Sequence, residues 1–122
     1  KSNWYVNYLI GIAYRGYGDI DRAKEFLLTA LECNNNAAEI YNELGIFYFN
    51  EGDIIAAIKV FTDGIDNCPD DFRLYFNRGL GKLNIGEVES SREDVAEAFR
   101  LNPNDLGVQN QLIAIDEYLK NN

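Results

Sequence analysis

The side chains here best equipped for chemistry are two thiols, Cys33 and Cys68, and a run of carboxylates, Asp63, Asp66, Asp70 and Asp71. Activated thiols need a cationic neighbour that lowers the pKa, and no Lys or Arg is adjacent to either cysteine in sequence. The chain has no His, so general acid–base work would fall to carboxylates alone, and a zinc site could not be completed without them. The acids lack the ligand spacing of a calcium loop and read as helix-end and solvated charges. Arg78 falls on a largely apolar segment, and Asp94 lies as far beyond Gly86 as Arg78 lies before it. In an antiparallel helix pair such equidistant residues face each other, so a structural Arg78–Asp94 ion pair is expected. No enzymatic activity, cofactor or metal is expected from this inventory.

Charge narrows the partners. The 122 residues carry a net charge of −9 with 11 basic residues, a poor match to a phosphate backbone, so nucleic acid is not an expected partner. No apolar run approaches the ~18 residues of a membrane span, and no signal-peptide pattern opens the chain, so membrane insertion is not expected either. The cysteines, 35 apart and without a CxxC, are expected to be reduced thiols near helix ends, a slight lean toward the cytoplasm in an otherwise open localisation. The opening Lys1-Ser2-Asn3 lacks Met, and Trp4 already falls in register with an internal repeat, as expected of a piece of a longer chain.

Positioning comes from that repeat. Stepping by 34 aligns Gly11, Gly45 and Gly79; Gly18, Gly52 and Gly86; Ile20, Ile54 and Val88; and Leu31, Ile65 and Phe99. Small residues recur as Ala23, Ala57 and Ser91, and as Ala30, Gly64 and Ala98, where helices must approach closely. Each unit has two helically periodic stretches split by a Gly-Asp or Gly-Glu turn, with Pro69 and Pro103 closing the second and third units. Helices are expected at about 4–17, 20–33, 38–51, 54–67, 72–85, 88–101 and 105–120. The last has Val108, Leu112, Ile115 and Leu119 on its apolar stripe and is expected to cap the array with a polar outer side.

These rows resemble the tetratricopeptide repeat. The second unit matches best, with Tyr41, Leu44, Gly45, Tyr48, Gly52, Ala57, Phe61 and Pro69 on the family pattern and Gly64 departing from it. The first unit keeps Gly11, Tyr14, Gly18, Ala23 and Ala30, with Asn7 in place of an aromatic. The third keeps the frame, while Lys82 and Ser91 depart. The resemblance implies an all-α, right-handed α-solenoid in a single domain over residues 1–122: units 4–37, 38–71 and 72–105, then a capping helix at 106–122.

It also implies a scaffold that binds a protein or peptide in a concave groove lined by the first helix of each unit. The matching groove positions are Tyr5, Tyr8, Ile12, Arg15, Glu39, Asn42, Ile46, Phe49, Asn50, Arg73, Phe76, Leu80, Leu83 and Asn84. They hold two cations and one anion, and they gather apolar and aromatic groups that ordinary surfaces do not cluster. Packing between units is the competing account of the same patch. One subclass of the family clamps the C-terminal carboxylate of heat-shock chaperones with Lys and Asn. The matching positions here are Tyr8, Ile12, Glu43, Arg73 and Asn77, of which only Arg73 is cationic, so no such clamp is expected. A second reading, of another class, is a structural element that stacks end to end with its own copies as a homo-oligomer.

Overall fold

The computed structural model describes residues 3–122, and among these there are seven α-helices: α1 (Trp4–Tyr17), α2 (Ile20–Cys33), α3 (Ala38–Asn50), α4 (Ile54–Asn67), α5 (Phe72–Asn84), α6 (Val88–Leu101) and α7 (Leu106–Asn121). The helices form three antiparallel pairs followed by α7, stacked in chain order as an all-α array. α3 and α5 stop one residue before the expected ends, because Glu51 and Ile85 serve as C-caps.

The turn inside each pair repeats its backbone hydrogen bonds. Gly18, Gly52 and Gly86 take φ of 81°, 85° and 85°, the left-handed region that a side chain would strain. Each ends its helix in a Schellman motif: the N–H of Asp19, Asp53 and Glu87 donates to the carbonyl of Tyr14, Tyr48 and Lys82 at 2.9–3.0 Å. Asp19 and Asp53 then cap the following helix, each Oδ1 accepting from a backbone N–H at 3.2 Å. Glu87, one methylene longer, makes no cap bond. Between units, Asn3, Asp71 and Asp105 cap α1, α5 and α7. Their counterpart Ala37 caps nothing and is instead buried in the first core cluster.

Within a pair the two helices touch through the glycine row. A Cβ at Gly11 would stand 2.9 Å from Leu27 Cγ, and one at Gly79 2.9 Å from Val95 Cγ2. At Gly45 it would collide with three atoms of the Phe61 ring. Leu27, Phe61 and Val95 are themselves 34 apart, so one contact is made three times. Between pairs the core is shared: one buried cluster joins Leu27 and Ala30 of α2 to Ile40 and Leu44 of α3. Others join Tyr41, Phe61 and Leu74, and Val95, Ala98, Val108 and Ile115. Each unit therefore completes its apolar face only against the next.

The third unit breaks the pattern as a set. Arg78 stands in the row of Ile10 and Leu44, Lys82 in that of Tyr14 and Tyr48, and Asp94 in that of Phe26 and Val60. Arg78 makes two hydrogen bonds of 2.8 Å to the Asp94 carboxylate, and Lys82 Nζ lies 3.0 Å from Asp94 Oδ2. The expected Arg78–Asp94 pair is thus one edge of a three-residue cluster. Ser91, the departure in the small-residue row, donates its hydroxyl to the Gly79 carbonyl at 2.7 Å, so it is buried without an unmet bond.

α7 packs its stripe as expected, with Val108 and Ile115 buried and Leu112 and Leu119 against the same cluster. Its outer side carries the exposed polar groups expected of a cap, Asn110, Asp116, Glu117 and Lys120, but mixes large apolar groups among them. Leu106 is 70% exposed, Ile113 62% and Tyr118 53%. Ile113 also stands one step beyond Gly79 in the glycine row, so a helix approaching α7 as closely as α2 approaches α1 would meet its side chain.

Candidate binding groove

Tyr5, Tyr8, Ile12 and Arg15 on α1, Glu39, Asn42, Ile46, Phe49 and Asn50 on α3, and Arg73, Phe76, Leu80, Leu83 and Asn84 on α5 follow three- and four-residue steps, which put each set on one face of its helix. Two pockets open there, sharing Ile46 as a wall. One, of about 120 Å³, lies between α3 and α5 and is lined by Ile46, Phe49, Phe61, Asn77 and Leu80. The other, of about 260 Å³, is lined by Arg15, Ile20, Ile46, Phe47, Asn50 and Glu51. Phe61 was not among the expected lining residues, since it comes from α4, where first-helix counting does not look.

Of the expected groove residues, Asn42 is buried, while Tyr8, Ile46, Phe49, Phe76 and Leu83 are each partly buried against a core cluster. Asn42 is only 6% exposed, and its Oδ1 accepts a 2.8 Å bond from Asn77 Nδ2 across the α3–α5 contact. Its own Nδ2 is buried with no partner among the described residues. Phe76 and Leu83 pack against the third core cluster, which α6 and α7 build from Val95, Ala98, Val108 and Ile115. Leu83 also lines a separate apolar pocket of about 210 Å³ with Val88, Gln111, Ala114, Ile115 and Tyr118. Leu80 belongs to no core cluster and only to the groove pocket.

The charge of the face is inverted by its neighbours. Arg15 pairs with Glu43, and Arg73 holds Asp71 through Nη2 at 2.8 Å and Nε at 3.3 Å. Both expected cations are thereby neutralised, while Glu39 is exposed and has no ion-pair partner among the described residues. At the same end Tyr5 and Tyr8 stack with ring centroids 6.1 Å apart, and Trp4 meets Tyr5 edge-on at 5.4 Å. Burial, then the Glu43 and Glu39 carboxylates, push the Tyr8 phenol above its ordinary pKa.

The thiols lie elsewhere. Cys33 is exposed, and burial together with Asp71 and Glu39 pushes the Cys68 thiol up, away from the thiolate. Among the described residues no three His, Cys, Asp or Glu side chains converge as metal ligands, and no helix is long and apolar enough to cross a membrane.

Two models of the tetratricopeptide repeat match the chain, at residues 5–36 and 26–59. Protein FlbA of Caulobacter vibrioides is 33% identical over 101 residues, covering 81% of this chain and 17% of that protein. The chain spans no more than a fifth of the length of the curated relatives it matches. Among solved structures, the first TPR of Spaghetti (RPAP3) bound to the HSP90 peptide SRMEEVD superposes with a TM-score of 0.86 at 18% identity, covering 96% of this chain and 93% of that one. The Yersinia enterocolitica type III secretion chaperone SycD, in complex with a peptide of the translocator YopD, gives 0.83 at 18% identity, over 97% and 94%.

Proposed function

The chain is a tetratricopeptide-repeat protein, and from that premise we propose that it is a protein-interaction module holding a peptide or helix of a partner across the face built by α1, α3 and α5. The observation that carries this reading is the apolar pocket between α3 and α5, walled by Ile46, Phe49 and Leu80 and left uncovered by the rest of the fold. A partner side chain entering it would lose its water contacts, the main source of affinity at such a site. The RPAP3 and SycD neighbours each hold a peptide, which supports the reading at the level of the fold. The acidic peptide of the RPAP3 domain is not the expected ligand type. Of the clamp-matching residues Tyr8, Ile12, Glu43, Arg73 and Asn77, the one cation is already bonded to Asp71.

Affinity capture with the wild-type chain and with Leu80→Ala tests the proposal. Proteins retained by the first and lost from the second, at equal helicity, would support it. Identical captures would refute it. End-to-end stacking of copies is the second reading, favoured by exposed apolar groups at both ends: Val6 (49%) and Leu9 (46%) on α1, and Leu106 and Ile113 on α7. Sedimentation across a concentration series separates the two, since stacking predicts a mass that climbs with concentration.

A further inference from the structure

The groove's α1 end differs in chemistry from its centre. It has an aromatic platform, Trp4, Tyr5 and Tyr8, with Tyr5 51% exposed. One repeat on, in the same row as Tyr5, is the Glu39 carboxylate, whose charge reaches the Tyr8 phenol and which has no ion-pair partner among the described residues. Among the described residues, the charged groups facing this end are Arg15 of α1, Glu39 and Glu43 of α3, Arg73 of α5 and Asp71 at its cap. Arg15 is held by Glu43, and Arg73 by Asp71 through two side-chain bonds. These five groups leave one uncompensated negative charge, on Glu39. Aromatic faces attract cations through their quadrupole, and a carboxylate at their edge adds to the attraction. The net charge of −9 draws cationic ligands toward the whole molecule.

We propose that the partner segment presents a Lys or Arg to the Tyr5–Tyr8–Glu39 end of the groove and a large apolar side chain to the Ile46–Phe49–Leu80 pocket. This rests on the groove being the binding face and adds the ligand's chemistry to it. Spacing comes from the helix between the two subsites. Glu39 and Ile46 are seven residues apart on α3, about 10 Å along its axis at ~1.5 Å per residue. An extended peptide covers that distance in about three residues at ~3.3 Å each. The sideways step from the α1 side to the pocket beyond α3, one helix spacing of ~8–10 Å, lengthens the path. The recognised pattern is therefore a basic residue roughly three to five positions from an apolar one, in either chain direction.

A randomised peptide display library, panned separately on the wild type, Glu39→Lys and Leu80→Ala, tests the proposal. On the wild type, enriched peptides should carry Lys or Arg roughly three to five residues from Leu, Ile, Phe or Met. On Glu39→Lys the apolar residue should persist and the basic one disappear. A labelled peptide from the wild-type set should bind Glu39→Gln and Tyr5→Ala roughly tenfold more weakly than the wild type. Enrichment that depends on Leu80 but shows no basic preference, or an acidic one, overturns this inference and leaves the groove as the binding face. Enrichment indifferent to Leu80 overturns both. Glu39 and Tyr5 are exposed, and circular dichroism of each variant confirms that the fold is kept.

Discussion

The Phe61 ring occupies the space where a side chain at Gly45 would begin. A Cβ there would stand 2.6 Å from Phe61 Cδ1 and closer still to Cε1 and Cζ. Phe61 is 1% exposed and packed with Tyr41, Ala57 and Leu74, so the ring can make room only by moving into the groove pocket it helps to line. Gly45→Ala should therefore lower stability by about 2–3 kcal/mol, the overpacking strain exceeding the ~1 kcal/mol that Ala gains over Gly in a helix. At Gly11 the nearest atoms stand farther off, Leu27 Cγ at 2.9 Å and the Ala23 carbonyl oxygen at 3.1 Å, so Gly11→Ala should cost less. Urea unfolding of both variants checks the ranking.

Glu87 stands where Asp19 and Asp53 cap their helices, yet α6 begins without a side-chain cap bond. Shortening the side chain by one methylene restores the geometry those two share. Glu87→Asp should raise stability by about 0.5–1 kcal/mol, and Asp53→Ala should lower it by about 1 kcal/mol. Thermal melts of the pair test this, and an unchanged melting temperature for Glu87→Asp would contradict it.

The Arg78–Lys82–Asp94 cluster is mostly buried, with side-chain exposures of 18%, 17% and 6%. Asp94→Asn would leave two cations without their anion and should cost about 3–5 kcal/mol. Replacing all three by their second-unit counterparts (Arg78→Leu, Lys82→Tyr, Asp94→Val) removes the desolvation cost along with the charges. That triple variant should be no less stable than the wild type. Denaturant midpoints of the single and triple variants, compared directly, decide it.

Leu80 and Phe76 lie one helical turn apart on α5 but should behave oppositely. Leu80 lines the groove pocket and joins no core cluster, so Leu80→Ala should weaken partner binding by roughly 1–3 kcal/mol at a nearly constant melting temperature. Phe76 packs against the cluster of Val95, Val108 and Ile115, so Phe76→Ala should lower stability by about 2–3 kcal/mol. Calorimetric titration alongside thermal unfolding separates the two effects. A binding loss confined to Phe76→Ala would reverse the assignment.

The sequence alone determined the repeat, its 34-residue step, the helix pairs and the turn glycines, because each obeys local rules. Helical periodicity, capping chemistry and the left-handed φ at Gly18, Gly52 and Gly86 act within a few residues. It also made Arg78–Asp94 legible, since hairpin symmetry about Gly86 is a distance along the chain. The tertiary structure decided what local rules do not reach. Glu43 silences Arg15 from 28 residues away, Asn77 bonds Asn42 from 35 away, and Phe76 and Leu83 pack on the core cluster that α6 and α7 build. Asp71 lies only two residues from Arg73, but its carboxylate is a cap first and an ion-pair partner second, a double use that residue counting treats as one. The groove's charge and its available anchors depend on which side chains meet between successive helices. That is settled by the packing of whole units against one another, and spacing within a unit carries no record of it.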